Sequence, residues 1–293
     1  MTSRGCSCFF LIGLVLRLVE APAPAETFAE RQDMVLDWVN SDWPNVGQYD
    51  GPHRIGRTGF WYVEGRIARN QTNSTTWTIL SDAIRNADGL EDANGGNGGF
   101  SAWPGMDCYL RYSNFFPQAI LDQYFTEYTT MPCYNHGATP NQQFMWATAC
   151  YLACETWGKD LVTSVSGIDF SHSGGDLSGK TWLLYELDRI RDTGYNEHNA
   201  STYLYATLGP VRTLMEFATN TEIRAMARLA WESGIANAAP AWLDGQWALT
   251  DQRGGIAADT THNPRCTDKE LRLLFGSPNP YWQVDTEQGD PDA

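Results

Sequence analysis

The chain has 293 residues, enough for one large domain or two small ones, and 42% of its residues are hydrophobic. Its formal net charge is −15 at pH 7 and its sequence pI is about 4.6. This balance argues against nucleic acid or an anionic membrane as a partner, because both attract a basic surface. An acidic substrate is not excluded, since a local arginine cluster can act within an acidic protein.

The first 25 residues have the pattern of a secretory signal peptide. Arg4 supplies a short basic start, residues 9–16 form an apolar run, and residues 21–25 alternate Ala with Pro, which suits a cleavage site. The apolar run is too short to span a bilayer, and no later stretch is long enough. We therefore expect a secreted or periplasmic mature protein, with an uncleaved start as the alternative.

The mature chain is predicted to be a succession of amphipathic helices. Apolar residues recur at helical spacing over residues 26–40, 60–69, 75–87, 106–114, 117–128, 140–157, 180–191, 202–218, 219–236 and 240–249. No run of alternating β-branched residues stands out, so the fold class is predicted to be all-α. Helices of this length joined by loops favour antiparallel hairpins, and the lack of a tight repeat favours a closed (α/α) toroid over a solenoid.

Two long connections interrupt this pattern. Residues 89–105 are rich in Gly and Asn and are predicted to be a loop, in which Phe100 and Trp103 are unusual for an inert linker. We expect this loop to be a lid or the wall of a cleft. Residues 161–179 are rich in Ser, Gly and Asp and are predicted to be irregular.

The helix at residues 140–157 has the best-marked start. Thr139 is a suitable N-cap, Pro140 fits the first helical position, and Gln142 suits a capping box. Asn135 and His136 lie in the polar loop before it, where the helix dipole favours a neutral imidazole and a nearby anion. His136 is therefore a candidate general base, although both residues could instead only satisfy turn and cap hydrogen bonds.

Five cysteines remain after the predicted signal peptide, so at least one is unpaired within the chain or pairs with another chain. Cys150 and Cys154 lie one helical turn apart, which suits packing or bridges to other elements better than a bond to each other. No zinc spacing is present, and the Gly-rich residues 94–99 lack the Lys-Ser/Thr ending of a phosphate-binding loop. We predict no metal and no cofactor.

Three segments of the second half carry a family resemblance. They are Asn135-His136 before Gln-Phe-Met-Trp-Ala-Thr-Ala-Cys-Tyr-Leu-Ala at residues 143–153, then Asn-Glu-His-Asn-Ala-Ser-Thr-Tyr at 196–203, and Leu-Met-Glu-Phe-Ala at 214–218 with Glu-Ile-Arg-Ala-Met-Ala at 222–227. Together they resemble the α/α-toroid carbohydrate-active proteins, a group that includes alginate and heparin lyases. The resemblance covers about residues 60–254.

The resemblance implies a toroid domain at residues 26–256 and a loop-rich tail at residues 257–293. Such lyases usually continue into a β-sandwich, so the chain is either a fragment that stops before a further domain or a toroid without one. The implied activity is β-elimination on an acidic, uronate-containing polysaccharide. In that reaction Asn135 would neutralise the sugar carboxylate, and Arg253 would clamp it.

The remaining catalytic roles implied by the resemblance are shared between this first polar loop and the second segment, residues 196–203. Either His136 or His198 would take the C5 proton, and Tyr203 would serve as base or acid. In an up-and-down array, alternate helices begin on the same rim, so the helices from 106, 140 and 202 are predicted to open on one mouth. The side chains expected to bind substrate there are Trp103, Asp107, Glu197 and Asn199. Each could instead only cap a helix, pack in the core or lie at the surface.

Two other functions are kept open. A glycoside hydrolase on the same toroid would need two carboxyl groups across a cleft, and Glu197 and Asp107 are the predicted pair. A non-catalytic secreted protein could use its Trp and Tyr side chains to bind sugars without cleaving them. In all three cases the expected partner is a polysaccharide or oligosaccharide.

Overall fold

The computed structural model describes residues 27–33, 36–37, 52–87, 98–130, 140–158, 179–194, 204–239, 242–243 and 246–247. Helical residues 28–33 and 36–37 are called α1. The helices that follow are α2 Pro52–Ala68, α3 Ser74–Arg85, α4 Gly98–Tyr112, a 3-10 turn Ser113–Phe115, α5 Gln118–Thr130, α6 Pro140–Trp157, α7 Gly179–Thr193, α8 Leu204–Phe217 and α9 Thr221–Ala238. The all-α prediction is confirmed for the described part of the chain.

One predicted helix, at residues 240–249, is wrong. The structure has two short antiparallel strands there, β1 Trp242–Leu243 and β2 Gln246–Trp247, with Trp242 opposite Trp247. Asp244-Gly245, which lies between the two strands in the sequence, is one of the dipeptides favoured in two-residue hairpin turns, because both residues tolerate positive φ. The sequence therefore contained the hairpin signal, and the apolar spacing around it was misleading.

Two helices begin eight residues before their predicted starts. α2 begins at Pro52 rather than residue 60, and α4 begins at Gly98 rather than residue 106. In α2 the missed signal is Pro52, whose fixed φ suits the first helical position. In α4 the predicted loop is wrong from residue 98 onward: residues 101–108 are all buried, so packing outweighs the poor helix propensity of Gly and of Pro104.

The start of α9 also differs from its predicted capping box. Asn220, not Thr219, is the N-cap, and its Oδ1 accepts hydrogen bonds from the backbone N–H groups of Glu222 and Ile223. The N–H groups of Thr219 and Asn220 instead donate to the carboxylate of Glu155 on α6. The chain entering α9 is thereby fixed to α6.

The helices pack so that alternate ones are neighbours. α2 contacts α4, α4 contacts α6, and α6 contacts α8, while α3 contacts α5 and α7 contacts α9. Consecutive helices also pair, above all α2 with α3 and α8 with α9. The main core is continuous across these contacts, with Phe60, Leu80, Tyr124, Leu152, Leu187 and Leu214 among its buried members. None of the described helices combines the length and the apolar character needed to cross a membrane.

Candidate functional site

Most of the predicted site residues lie outside the described part of the chain. These are Asn135, His136, Glu197, His198, Asn199, Tyr203 and Arg253. Their predicted roles stay predictions. Trp103 and Asp107 do lie within the described residues, and both belong to one hydrogen-bonded group inside the helical packing.

Asp107 lies well inside α4, so it neither caps that helix nor stands at its start as predicted. Its carboxylate is buried and accepts two hydrogen bonds from Arg111, one turn further along: Nε to Oδ2 at 2.8 Å and Nη2 to Oδ1 at 3.1 Å. Thr213 on α8 donates a third, from Oγ1 to Oδ1 at 2.6 Å. The carboxylate is therefore held in one orientation by groups from two helices.

Trp103 also has a different position from the one predicted. It lies in α4 rather than in a surface loop, and it is only 4% exposed. Its indole Nε1 donates to Thr213 Oγ1 at 2.9 Å, so Thr213 accepts from Trp103 while it donates to Asp107. The ring packs directly on α8, where a Cβ added at Gly209 would come within 2.1 Å of it. Trp103 is thus held within the packing of α4 against α8 and is not part of a mobile lid.

Glu64, on α2, is the acidic residue that sequence reasoning missed. Its Oε1 atom is buried and has no hydrogen-bond partner among the described residues. Burial raises the pKa of Glu64 to about 8, and the negative charge of Asp107 adds to the effect, while Arg111 and Arg212 oppose it. At neutral pH the Glu64 carboxyl group therefore keeps its proton and is an acid ready to donate it.

Two arginines complete the charged group. Arg111 forms an ion pair with Glu216 of α8 in addition to its bonds with Asp107. Arg212 Nη2 lies 3.6 Å from Asp107 Oδ2, and its Nε lies 3.9 Å from Glu216 Oε1. We call Glu64, Asp107, Arg111, Arg212 and Glu216 the charge cluster. With Glu64 protonated, its two carboxylates and two guanidinium groups balance.

A small apolar cluster lies beside these charges and is separate from the main core. It takes one residue from each of α2, α4, α6 and α8: Trp61, Trp103, Met145 and Ala206. Glu64 and Asp107 lie one turn from Trp61 and Trp103, so the charged and aromatic groups share one face of the four helices. We call it the four-helix face.

The four-helix face also contains a second orphaned polar atom. Thr148, one turn from Met145 on α6, is fully buried, and no described residue is a hydrogen-bond partner for its Oγ1. Buried polar atoms in folded proteins are normally paired, so an unpaired hydroxyl is a place where a polar ligand or water could bind. No grouping of three or more His, Cys, Asp or Glu able to hold a metal ion occurs among the described residues.

No protein-family model, curated protein or solved structure matches this chain. The site must therefore be interpreted from its own geometry, and the resemblance to toroid lyases stays a prediction.

A sequence signal for Glu64 did exist. Phe60, Val63 and Ile67 are buried and recur at helical spacing, and Glu64 lies between them, one turn from both Phe60 and Ile67. A lone carboxyl group within the apolar stripe of a helix is costly to bury unless it stays neutral or finds a partner. Such a residue marks a candidate site. The charged residues of α4 and α8 that surround it could not be identified from the spacing of residues in the sequence.

Proposed function

We propose that this protein is a secreted carbohydrate-active enzyme that cleaves glycosidic bonds at the four-helix face. The finer fold that we propose is an (α/α) toroid, in which α2, α4, α6 and α8 line the inside. The contacts between alternate helices support this proposal, because a ring of helical hairpins brings alternate helices side by side.

The observation that carries the proposal is the buried carboxyl oxygen of Glu64, which has no hydrogen-bond partner among the described residues and whose pKa is raised by burial and by the charge of Asp107. Cleaving a glycosidic bond requires an acid that protonates the departing oxygen, and this acid needs a raised pKa to hold its proton near neutral pH. In the proposed reaction Glu64 is that acid. Asp107 is a positioning residue, since its oxygens are engaged by Arg111 and Thr213 while its charge disfavours ionisation of Glu64.

Hydrolysis is the reaction class that the described residues favour. A glycoside hydrolase uses one carboxyl group as the acid, and burial together with the charge of Asp107 gives Glu64 the raised pKa that this role needs. Asp107 was predicted for the hydrolase pair, and Glu64 is now the acid that we propose in place of Glu197. Because Asp107 is fully engaged, the base of such a reaction would come from another residue.

A polysaccharide lyase is the second candidate, and the pair Arg111 and Arg212 is the observation that favours it. Elimination requires neutralisation of a uronate carboxylate, for which a guanidinium group beside the acid is well suited. In this version Asn135, His136, His198 and Tyr203 would supply the amide, the base and the acid that the resemblance implies.

Secretion or export to a periplasm is part of the proposal. Cys150 is disulfide-bonded, whereas Cys108 and Cys154 are thiols. Structural disulfides persist in oxidising compartments and are rare in the cytosol, which agrees with the signal-peptide pattern at the start of the chain. The expectation that Cys150 and Cys154 do not bond to each other is confirmed.

A substrate panel tests the proposal directly. The purified full chain is incubated with neutral and uronate-containing polysaccharides, and new reducing ends are measured together with the absorbance of unsaturated uronates. New reducing ends alone indicate hydrolysis, and both signals together indicate elimination. We expect Glu64→Gln to lower the rate by roughly 100-fold or more, because the amide cannot donate a proton to the leaving group.

The matched control is Glu232→Gln, which removes an exposed carboxylate on α9 and should leave the rate unchanged. Unaltered cleavage by the Glu64→Gln protein would overturn the role of Glu64. If no polysaccharide in the panel is cleaved, the proposed activity fails, and binding without cleavage would favour a sugar-binding protein.

A further inference from the structure

Arg111 and Arg212 belong to the same charge cluster but differ in how fully their donors are used. Arg111 makes two hydrogen bonds with Asp107 and an ion pair with Glu216. Arg212 faces the same two carboxylates, but only at 3.6 and 3.9 Å. Both distances exceed those of a charge-assisted hydrogen bond, so neither carboxylate is a hydrogen-bond partner of these Arg212 nitrogens.

Arg212 is consequently left with unused donors at the edge of the site. Its Nε is buried, and no acceptor among the described residues lies within hydrogen-bonding distance of it. A buried donor without a partner is unfavourable. The Arg212 side chain as a whole is 39% exposed, compared with 21% for Arg111, so Arg212 is the more accessible of the two arginines.

The chemistry of the missing partner follows from the donor. A guanidinium group presents N–H donors in a planar fork, and its best match is a planar anion with two oxygens, a carboxylate. The charge of the cluster is compatible with a bound carboxylate, because Arg111 already engages both Asp107 and Glu216 while Glu64 is neutral.

We propose that Arg212 binds the carboxylate of an acidic sugar and so makes the four-helix face specific for uronate-containing substrates. This inference rests on the proposed function, because it assumes a sugar at that face. It assigns to Arg212 the clamp that was predicted for Arg253.

Calorimetric binding separates this inference from catalysis. The full chain carrying Glu64→Gln, which should bind without cleaving, is titrated with a set of uronate oligosaccharides and with the same oligosaccharides as their uncharged methyl esters. We expect the acid form to bind at least about tenfold more tightly than the ester, the size of one charge-assisted hydrogen bond. Adding Arg212→Gln should abolish the difference without weakening binding of the ester.

Two further variants exclude simpler explanations. Arg212→Lys keeps the charge but not the fork, and we expect it to lose most of the preference for the acid form. Arg228→Gln removes a comparable arginine on α9, whose Nε lies 3.9 Å from Glu232 one turn away, and it should change nothing.

Preserved preference in the Arg212→Gln protein would overturn the assignment, and so would equal binding of acid and ester by the parent chain. A preference for the acid that depends on Arg212 would support the inference even in a protein that cleaves no glycan. Failure of the proposed catalysis can therefore be told from failure of this assignment.

Discussion

At the scale of single residues, the chemistry of the site depends on which carboxyl group holds a proton. Asp107 receives three hydrogen bonds from Arg111 and Thr213, whereas a Glu64 oxygen receives none from the described residues. Hydrogen-bond donors stabilise the charged form of an acid, and burial without them stabilises the neutral form. Glu64 thus keeps its proton because its buried carboxyl group lacks the hydrogen-bond donors that Asp107 has.

The raised pKa of Glu64 predicts a pH-dependent stability. Folded Glu64 holds its proton up to about pH 8, while in the unfolded chain the proton leaves near the ordinary value of 4.5. Its contribution to folding is therefore fully present below pH 4.5 and is lost as the pH rises towards 8. We compare the free energy of unfolding of Glu64→Gln with that of the wild type. We expect the difference to favour the variant by more than ~1 kcal/mol more at pH 9 than at pH 4.5.

Urea unfolding at the two pH values measures this difference. The exposed Glu232→Gln variant is the control and should show the same difference from wild type at both. An equal shift of the free energy of unfolding at pH 4.5 and pH 9 in the Glu64→Gln protein would mean that folding does not raise the pKa of Glu64.

At the scale of elements, a few side chains determine where α3 and α9 begin. α3 begins with a capping box, in which Asn73 Oδ1 accepts from the backbone of Thr76 and Thr76 Oγ1 accepts from the backbone of Asn73. α9 begins instead with the Asn220 cap, while Glu155 engages the two preceding N–H groups. A distant carboxylate therefore takes part in a helix start that the local sequence appeared to provide alone.

This arrangement predicts unequal effects of two neighbouring substitutions. Asn220→Ala removes the side-chain acceptor for two N–H groups of α9 and should cost about 1 kcal/mol of stability. Thr219→Ala should cost little, because Thr219 contributes its backbone N–H and not its side chain. Thermal or urea unfolding of the two variants checks this, and a larger loss for Thr219→Ala would restore the capping box predicted from sequence.

At the scale of the whole molecule, the described cysteines differ in bonding and in burial. Cys150 is disulfide-bonded, Cys154 is a half-buried thiol, and Cys108 is a fully buried one. Burial raises the pKa of the Cys108 thiol well above its usual range, so this residue stays protonated and unreactive.

Alkylation of the native protein followed by peptide mapping tests this assignment. We expect no label at Cys150 until the protein is reduced, slow labelling of Cys154, and labelling of Cys108 only after unfolding. Native labelling of Cys150 without reductant would remove the disulfide, and with it the structural support for an oxidising compartment.

The sequence by itself determined the helical class and most of the helix positions. α3, α5, α6, α7, α8 and α9 lie within two residues of their predicted ends, because hydrophobic periodicity and turn residues are local signals. Phe144, Ala147 and Tyr151 of α6 are buried as their spacing predicts, but residues 144–153 are all buried, so α6 is covered on every side and not on one face only.

Only the tertiary structure decided the start of α4 and the composition of the charge cluster. Burial of Trp103 and its neighbours outweighs the glycines that make residues 98–105 resemble a loop. Asp107 and Thr213 are joined by a hydrogen bond although they are far apart in the sequence, and no local pattern predicts such a contact. The pKa of Glu64 is set by lost hydration and by the charges around it, and both exist only when the helices are packed together.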